Sequence, residues 1–245
     1  MRWASAGSLL PALLLCGTTA ALAASISPIL VELTPKAKVK SIRFTNTGKD
    51  IQVIQADARE WRQENGGDVR EATDRLVVSP RIARIPQGGT QIFRVSERSS
   101  GGTVERSYRL VLEDITADVD LKALQGNEIR LRITTDLPVF SSPVGIAKAT
   151  PVWSRCSAPA GKLCLRLDNQ GNKRVRISNV RLLGAGAEIP VKIVDTVLAG
   201  SWKQWTVDSI PEAQRAGHVR YRSEDGEVNA ESRALMRWRS CSVGS

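Results

Sequence analysis

Apolar and polar residues alternate along most of this chain with a period of two, the spacing that puts every second side chain on one face of an extended strand. Residues 38–45 set Val39, Ser41 and Arg43 against Lys40, Ile42 and Phe44, and residues 106–115 carry Tyr108, Leu110 and Leu112 on one face. Similar runs cover 51–61, 76–79, 81–85 and 90–95, separated by turn residues at 46–49, 63–68 and 86–89. Residues 26–33 form an extended run interrupted by Pro28, as suits an edge strand. The second half continues with runs at 163–169, 174–183, 189–194, 202–207, 218–223 and 231–238, and Asp225-Gly226 marks a hairpin. Before residue 138 no apolar stripe at helical spacing is sustained; only 121–124 would form a turn of helix. Short strands at steady spacing predict an all-β protein built from sandwiches.

One strand stands out by its position. In residues 127–138, Ile129, Leu131 and Ile133 alternate with Arg130, Arg132 and Thr134. This strand closes the first half, and Pro138 and Pro143 read as a hinge into a second half of similar length. The expected units are 24–140 and 141–245. A last strand with a detachable apolar row could complete the sheet of another protein by strand addition. The same row could equally fill the chain's own core.

The start of the chain reads differently. Arg2, an apolar run at 9–15 and Ala21-Leu22-Ala23 form an export signal over residues 1–23, with cleavage expected after Ala23. A lipoprotein site at Cys16-Gly17 is the alternative, but Leu15 stands where a small residue is expected. No later apolar run is long enough to span a bilayer, so an exported protein without membrane insertion is expected. In an oxidising compartment Cys156 and Cys164 could pair across a short hairpin whose Pro159-Ala160-Gly161 reads as a turn. Cys241 is then the odd thiol, and its pairing with either of the others stays open.

The 245 residues carry a formal charge of +10, which could serve nucleic acid, anionic membrane or acidic protein partners. The charges are spread along the chain with no aromatic-plus-basic motif, so a solvated surface is expected, without nucleic acid. His218 is the single histidine, and no nucleophile elbow, zinc-binding histidine pair or phosphate-cradling glycine loop is present. The sequence therefore predicts neither an enzyme nor a metal or other cofactor site.

Several motifs in order carry a resemblance. They are Thr45-Asn46-Thr47-Gly48, Glu60-Trp61 with Gln63, Leu76-Val77-Val78-Ser79-Pro80, Ile85-Pro86 with Gly88, Gln91 with Phe93-Arg94-Val95, and Glu105 to Leu110. The alternating strand and Leu137-Pro138-Val139-Phe140 complete the series. Over residues 25–140 the chain resembles the PapD-like periplasmic chaperones of chaperone–usher pilus assembly, in their archaic or Csu-type branch. The second half matches only through Val152-Trp153 and the Asn169-Gln170-Gly171 turn.

The resemblance implies two immunoglobulin-like β-sandwich domains in an L shape with a cleft between them. It also implies pilin or fimbrial subunits and an outer-membrane usher as partners; an empty chaperone could cap its exposed strand by pairing with another copy. Ile129, Leu131 and Ile133 would be donated to the subunit, each worth about 1.5–3 kcal/mol when buried. Two basic residues would grip the subunit's C-terminal carboxylate, expected here to be Arg94 and Arg132, with Arg130 and Arg109 as alternatives, since an arginine can hold a carboxylate by two parallel hydrogen bonds. Residues 25–33 contain no basic residue, a departure from the better-known branch, which places an arginine in its first strand. The competing reading is a secreted two-domain binding or adhesion module that binds through exposed loops.

Overall fold

The computed structural model describes residues 24–99, 101–116, 133–184, 186–208, 213 and 216–231. The first half contains β1 (Ala24–Ser27), β2 (Val31–Leu33), β3 (Val39–Asn46), β4 (Gln52–Glu64), β5 (Gly67–Ala72), β6 (Leu76–Ser79), β7 (Ile82–Ile85), β8 (Thr90–Glu97), β9 (Arg106–Asp114) and β10 (Thr134–Ser141). They form a four-stranded sheet in the order β1-β3-β8-β6 and a six-stranded sheet in the order β2-β10-β9-β4-β5, with β7 on β4. The two sheets enclose one core. Ile42 and Phe44 of β3 and Phe93 and Val95 of β8 meet Ile54 and Ala56 of β4, Tyr108, Leu110 and Leu112 of β9, and Leu137 and Val139 of β10. Each large apolar side chain buried there stabilises the sandwich by about 1.5–3 kcal/mol.

The second half contains β11 (Pro151–Cys156), β12 (Lys162–Asn169), β13 (Val175–Gly184), β14 (Ala187–Val191), β15 (Asp195–Val197), β16 (Trp202–Asp208), β17 (His218–Ser223) and β18 (Gly226–Glu231). One sheet runs β11-β12-β16, the other β14-β13-β17-β18 with β15 on β13. Its core centres on Trp153, whose ring lies 5.8 Å from that of Trp205 and 5.7 Å from that of Tyr221. Burial pushes the Tyr221 hydroxyl up to about 12. Cys156 lies opposite Cys164 in the β11–β12 ladder, and the two are joined by a disulfide with their Cα atoms 5.0 Å apart, within the span such a bond requires. This arrangement of two sandwiches agrees with the expected all-β class.

Several elements differ from the sequence reading. The run at 26–33 is not one strand: it breaks at Pro28, so that β1 joins β3 in one sheet and β2 joins β10 in the other. The polar stretch at 63–68 is the tip of a β4–β5 hairpin, turned by Asn65 and Gly66 at φ 52° and 79°, a pair of left-handed residues that suits a two-residue loop. Pro138 does not end a strand, because β10 runs through it to Ser141. At Pro138 the β2 side of the strand is still open, the condition under which a proline fits a sheet. The run at 189–194 stops at Val191, and Asp195–Val197 makes a separate short strand. After the hairpin at Asp225-Gly226 the last described strand is Gly226–Glu231; the rest of the run at 231–238 lies outside the described residues, as do the turn at 121–124 and Cys241.

Candidate functional site

Alternation in β9 sends Tyr108, Leu110 and Leu112 into the core and leaves Arg109 on the outer face of the six-stranded sheet. The same face carries Trp61 from β4, Arg70 from β5, and Asp136 and Phe140 from β10. The Trp61 and Phe140 rings lie 5.9 Å apart and share a buried cluster with Leu198 of the second half. This outer face is therefore the wall that meets the second sandwich.

The junction between the halves is held by polar contacts as well. Gln63 donates to the Thr196 carbonyl at 2.8 Å and accepts from the Leu198 N–H at 2.9 Å. Lys203 reaches Asp68 at 3.2 Å and Asp195 at 2.8 Å. At the Gly66 turn, φ is 79° and a Cβ would stand 2.6 Å from the Trp202 ring, so any larger residue there would be strained and would have to displace that ring. Arg174 donates to Glu105 at 2.6 Å, with both side chains almost wholly buried, and also reaches Glu32 at 2.5 Å and Glu224 at 3.2 Å. Its guanidinium lies 3.7 Å over the Phe140 ring. Burial works against the charge on Arg174, but Glu105 leads the carboxylates that hold it above its ordinary range. Burial outweighs the pull of Arg174 on Glu105 and holds that carboxyl above its usual range.

Arg109 lies on the outer face beside this junction, with its side chain largely buried. Its guanidinium lies 3.8 Å over Trp61. Burial pushes it below its ordinary value, Asp136 pulls it back up, and Arg70 pushes it further down. Arg70 pairs with Asp136 at 2.6 Å, whereas Arg109 stands 3.8 Å from the other oxygen of the same carboxylate. Among the described residues, the buried Arg109 Nε and Asp136 Oδ1 have no hydrogen-bond partner. An arginine over an aromatic ring whose fork is hydrogen-bonded to no carboxylate keeps donors for one.

The strand beside Arg109 is paired unevenly on its two sides among the described residues. β10 pairs with β9 along its whole length, but β2 meets it only at Val139–Ser141. Residues 134–138 thus leave one row of backbone groups unpaired among the described residues. Ile133, just ahead of the strand, is 46% exposed.

The sequence-derived site residues are placed as follows. Ile133 stands at the start of the open edge, while Ile129, Leu131 and Arg132 lie outside the described residues. Arg94 is exposed on the outer face of the four-stranded sheet, because its neighbours Phe93 and Val95 point into the core. The core separates it from β10 and from the wall that meets the second sandwich. Arg109, one of the alternatives, lies on that wall together with Arg70. Its signal in the sequence was its position between two core residues of a strand next to the donor-type strand.

Comparison with known proteins fits this geometry. The class is that of two-sandwich, immunoglobulin-like assembly chaperones. A family model described as the pili and flagellar-assembly chaperone, PapD N-terminal domain, matches residues 23–147, and the chain belongs to that family. No curated protein matches it by sequence. A chain of the CsuC–CsuE chaperone–tip adhesion subunit pre-assembly complex from the archaic Csu pili of Acinetobacter baumannii is similar at 20% identity. The match covers 85% of this chain and 97% of that one, with a TM-score of 0.67. The Pseudomonas aeruginosa CupB2 chaperone is similar at 16% identity, covering 83% and 96%, with a TM-score of 0.56. The E. coli chaperone DraB is similar at 13% identity, covering 85% and 96%, with a TM-score of 0.58.

Proposed function

We propose that this protein is an exported, non-enzymatic periplasmic chaperone that captures pilus subunits by donor-strand complementation and passes them to an outer-membrane usher. Residues 24–140 and 141–245 are its two units, behind a leader of residues 1–23. The observation that carries the reading is the edge of β10 at residues 134–138, unpaired on one side among the described residues and following Ile129, Leu131 and Ile133 in the chain. A subunit with an incomplete sandwich exposes apolar core and unpaired backbone groups. The row would fill the core, and the strand's backbone would complete the ladder. Arg109 takes the place first given to Arg94 as the anchor for the subunit's terminal carboxylate, with Arg132 retained as its partner. The pairing of the similar Csu chaperone with an adhesion subunit in one complex supports the choice of cargo.

The test is to isolate the protein from periplasmic extract and identify by mass spectrometry what accompanies it. A stoichiometric small partner with an incomplete β-sandwich, lost on Leu131→Asp, is the expected result. A lone protein, recovered while pilus genes are expressed, would refute the reading and leave the secreted binding module.

A further inference from the structure

We propose that Asp136 is an internal stand-in for the subunit's terminal carboxylate, seated between Arg70 and Arg109 while the cleft is empty and displaced when a subunit arrives. The inference rests on the reading of Arg109 as the carboxylate anchor. Asp136 stands two residues ahead of Pro138, whose partner across the β9–β10 ladder is Arg109, so their side chains meet diagonally on the same face. An arginine committed to a structural carboxylate normally takes it through two parallel hydrogen bonds. Here the nearest approach to Arg109 is 3.8 Å, beyond a hydrogen bond, and the Arg109 Nε and Asp136 Oδ1 are both left without one. Asp136 thus offsets charge beside Arg109 without filling its guanidinium fork.

The neighbouring charges leave this role to Asp136. Asp68, also near Arg109, is engaged by Lys203 and Gln63, and Lys203 in turn by Asp195. Asp136 is 27% exposed, enough to swing aside toward water with Arg70 when another carboxylate takes Arg109. Leaving the buried arginine with no anion nearby would be costly, so a resident carboxylate keeps the empty cleft folded and ready. A residue that only orients Arg109 would have the opposite effect on binding, which makes the two roles separable.

The experiment is a titration of the mature protein with N-acetyl-trialanine as the free acid and as its C-terminal amide, followed through the arginine side-chain NMR signals. Asp136→Asn should bind the free acid about threefold more tightly than the unsubstituted protein, the scale of one partly exposed ion pair, with the amide unaffected. Equal or weaker binding of the free acid by Asp136→Asn would overturn the stand-in role. Separately, Arg109→Ala should erase the preference for acid over amide. If that preference persists in Arg109→Ala, or is absent from the unsubstituted protein, the anchor reading itself fails, and the stand-in role with it.

Discussion

Asn46 and Asn169 make the same local contacts in the two halves of the molecule. Each ends a strand and accepts from the N–H of the glycine two residues on, at 2.9 Å for Gly48 and 3.1 Å for Gly171. Each donates to the carbonyl four residues on, at 2.7 Å for Asp50 and 2.8 Å for Lys173. Each then ties its turn to a distant segment, Asn46 through the Ile85 carbonyl and Asn169 through those of Val197 and Leu198. Both are almost completely buried. Replacing either by alanine leaves buried carbonyls unpaired and should cost about 2–4 kcal/mol, read by urea denaturation. A change under about 1 kcal/mol would show that water substitutes for the amide.

The two arginines can be separated by function. Arg109→Ala should weaken subunit capture by roughly ten- to a hundredfold, the scale of one lost charge-assisted hydrogen bond. Arg94→Ala, on the far sheet, should change capture by less than about twofold. Binding measured with the co-purified subunit decides, and the reverse ranking would restore Arg94 as the anchor.

The buried pair at the junction sets how the halves are joined. Arg174→Ala strands the Glu105 carboxylate in a place with almost no solvent contact and should cost about 3–5 kcal/mol. Glu105→Gln should cost less, because burial already disfavours that charge and Glu32 and Glu224 still face Arg174. Thermal melts of the two variants, compared at equal pH, test the order.

Glu97 should give acid sensitivity. Burial opposes its charge, but hydrogen bonds from Ser141, Tyr108 and Arg106 prevail and hold the carboxyl below its ordinary value. A lowered carboxylate contributes stability that is complete above the unfolded value of about 4.3 and is lost as the pH falls through the folded value. Glu97→Gln should therefore destabilise the protein at pH 7, and the gap to the unsubstituted protein should narrow below about pH 4. A gap that stays constant or widens on acidification would show that Glu97 does not hold its charge in the fold.

Much of the fold was readable because a strand's two faces are set by the chain itself. Tyr108, Leu110 and Leu112 announced a buried face, Ile42 and Phe44 another, and the Asn-x-Gly turns closed strands in both halves. What escaped was the strand at 67–72, whose mostly exposed residues carry no apolar alternation, and the division of 26–33 between two sheets. Pro138 misled because a proline is tolerated where one side of a strand is open, a fact about neighbours.

The site divides along the same line. Sequence alone determined that Arg94 and Arg109 each alternate with core residues, so that each lies on the outside of a strand. It also placed the apolar row of 129–133 in the strand that closes the first half. Only the tertiary structure decided which outside faces the second sandwich. Strand pairing between residues far apart in the chain puts Arg109 over Trp61 and beside Asp136, and leaves Arg94 on the opposite layer. Side-chain alternation is a local property of the backbone, whereas a cleft is made by which sheets neighbour which.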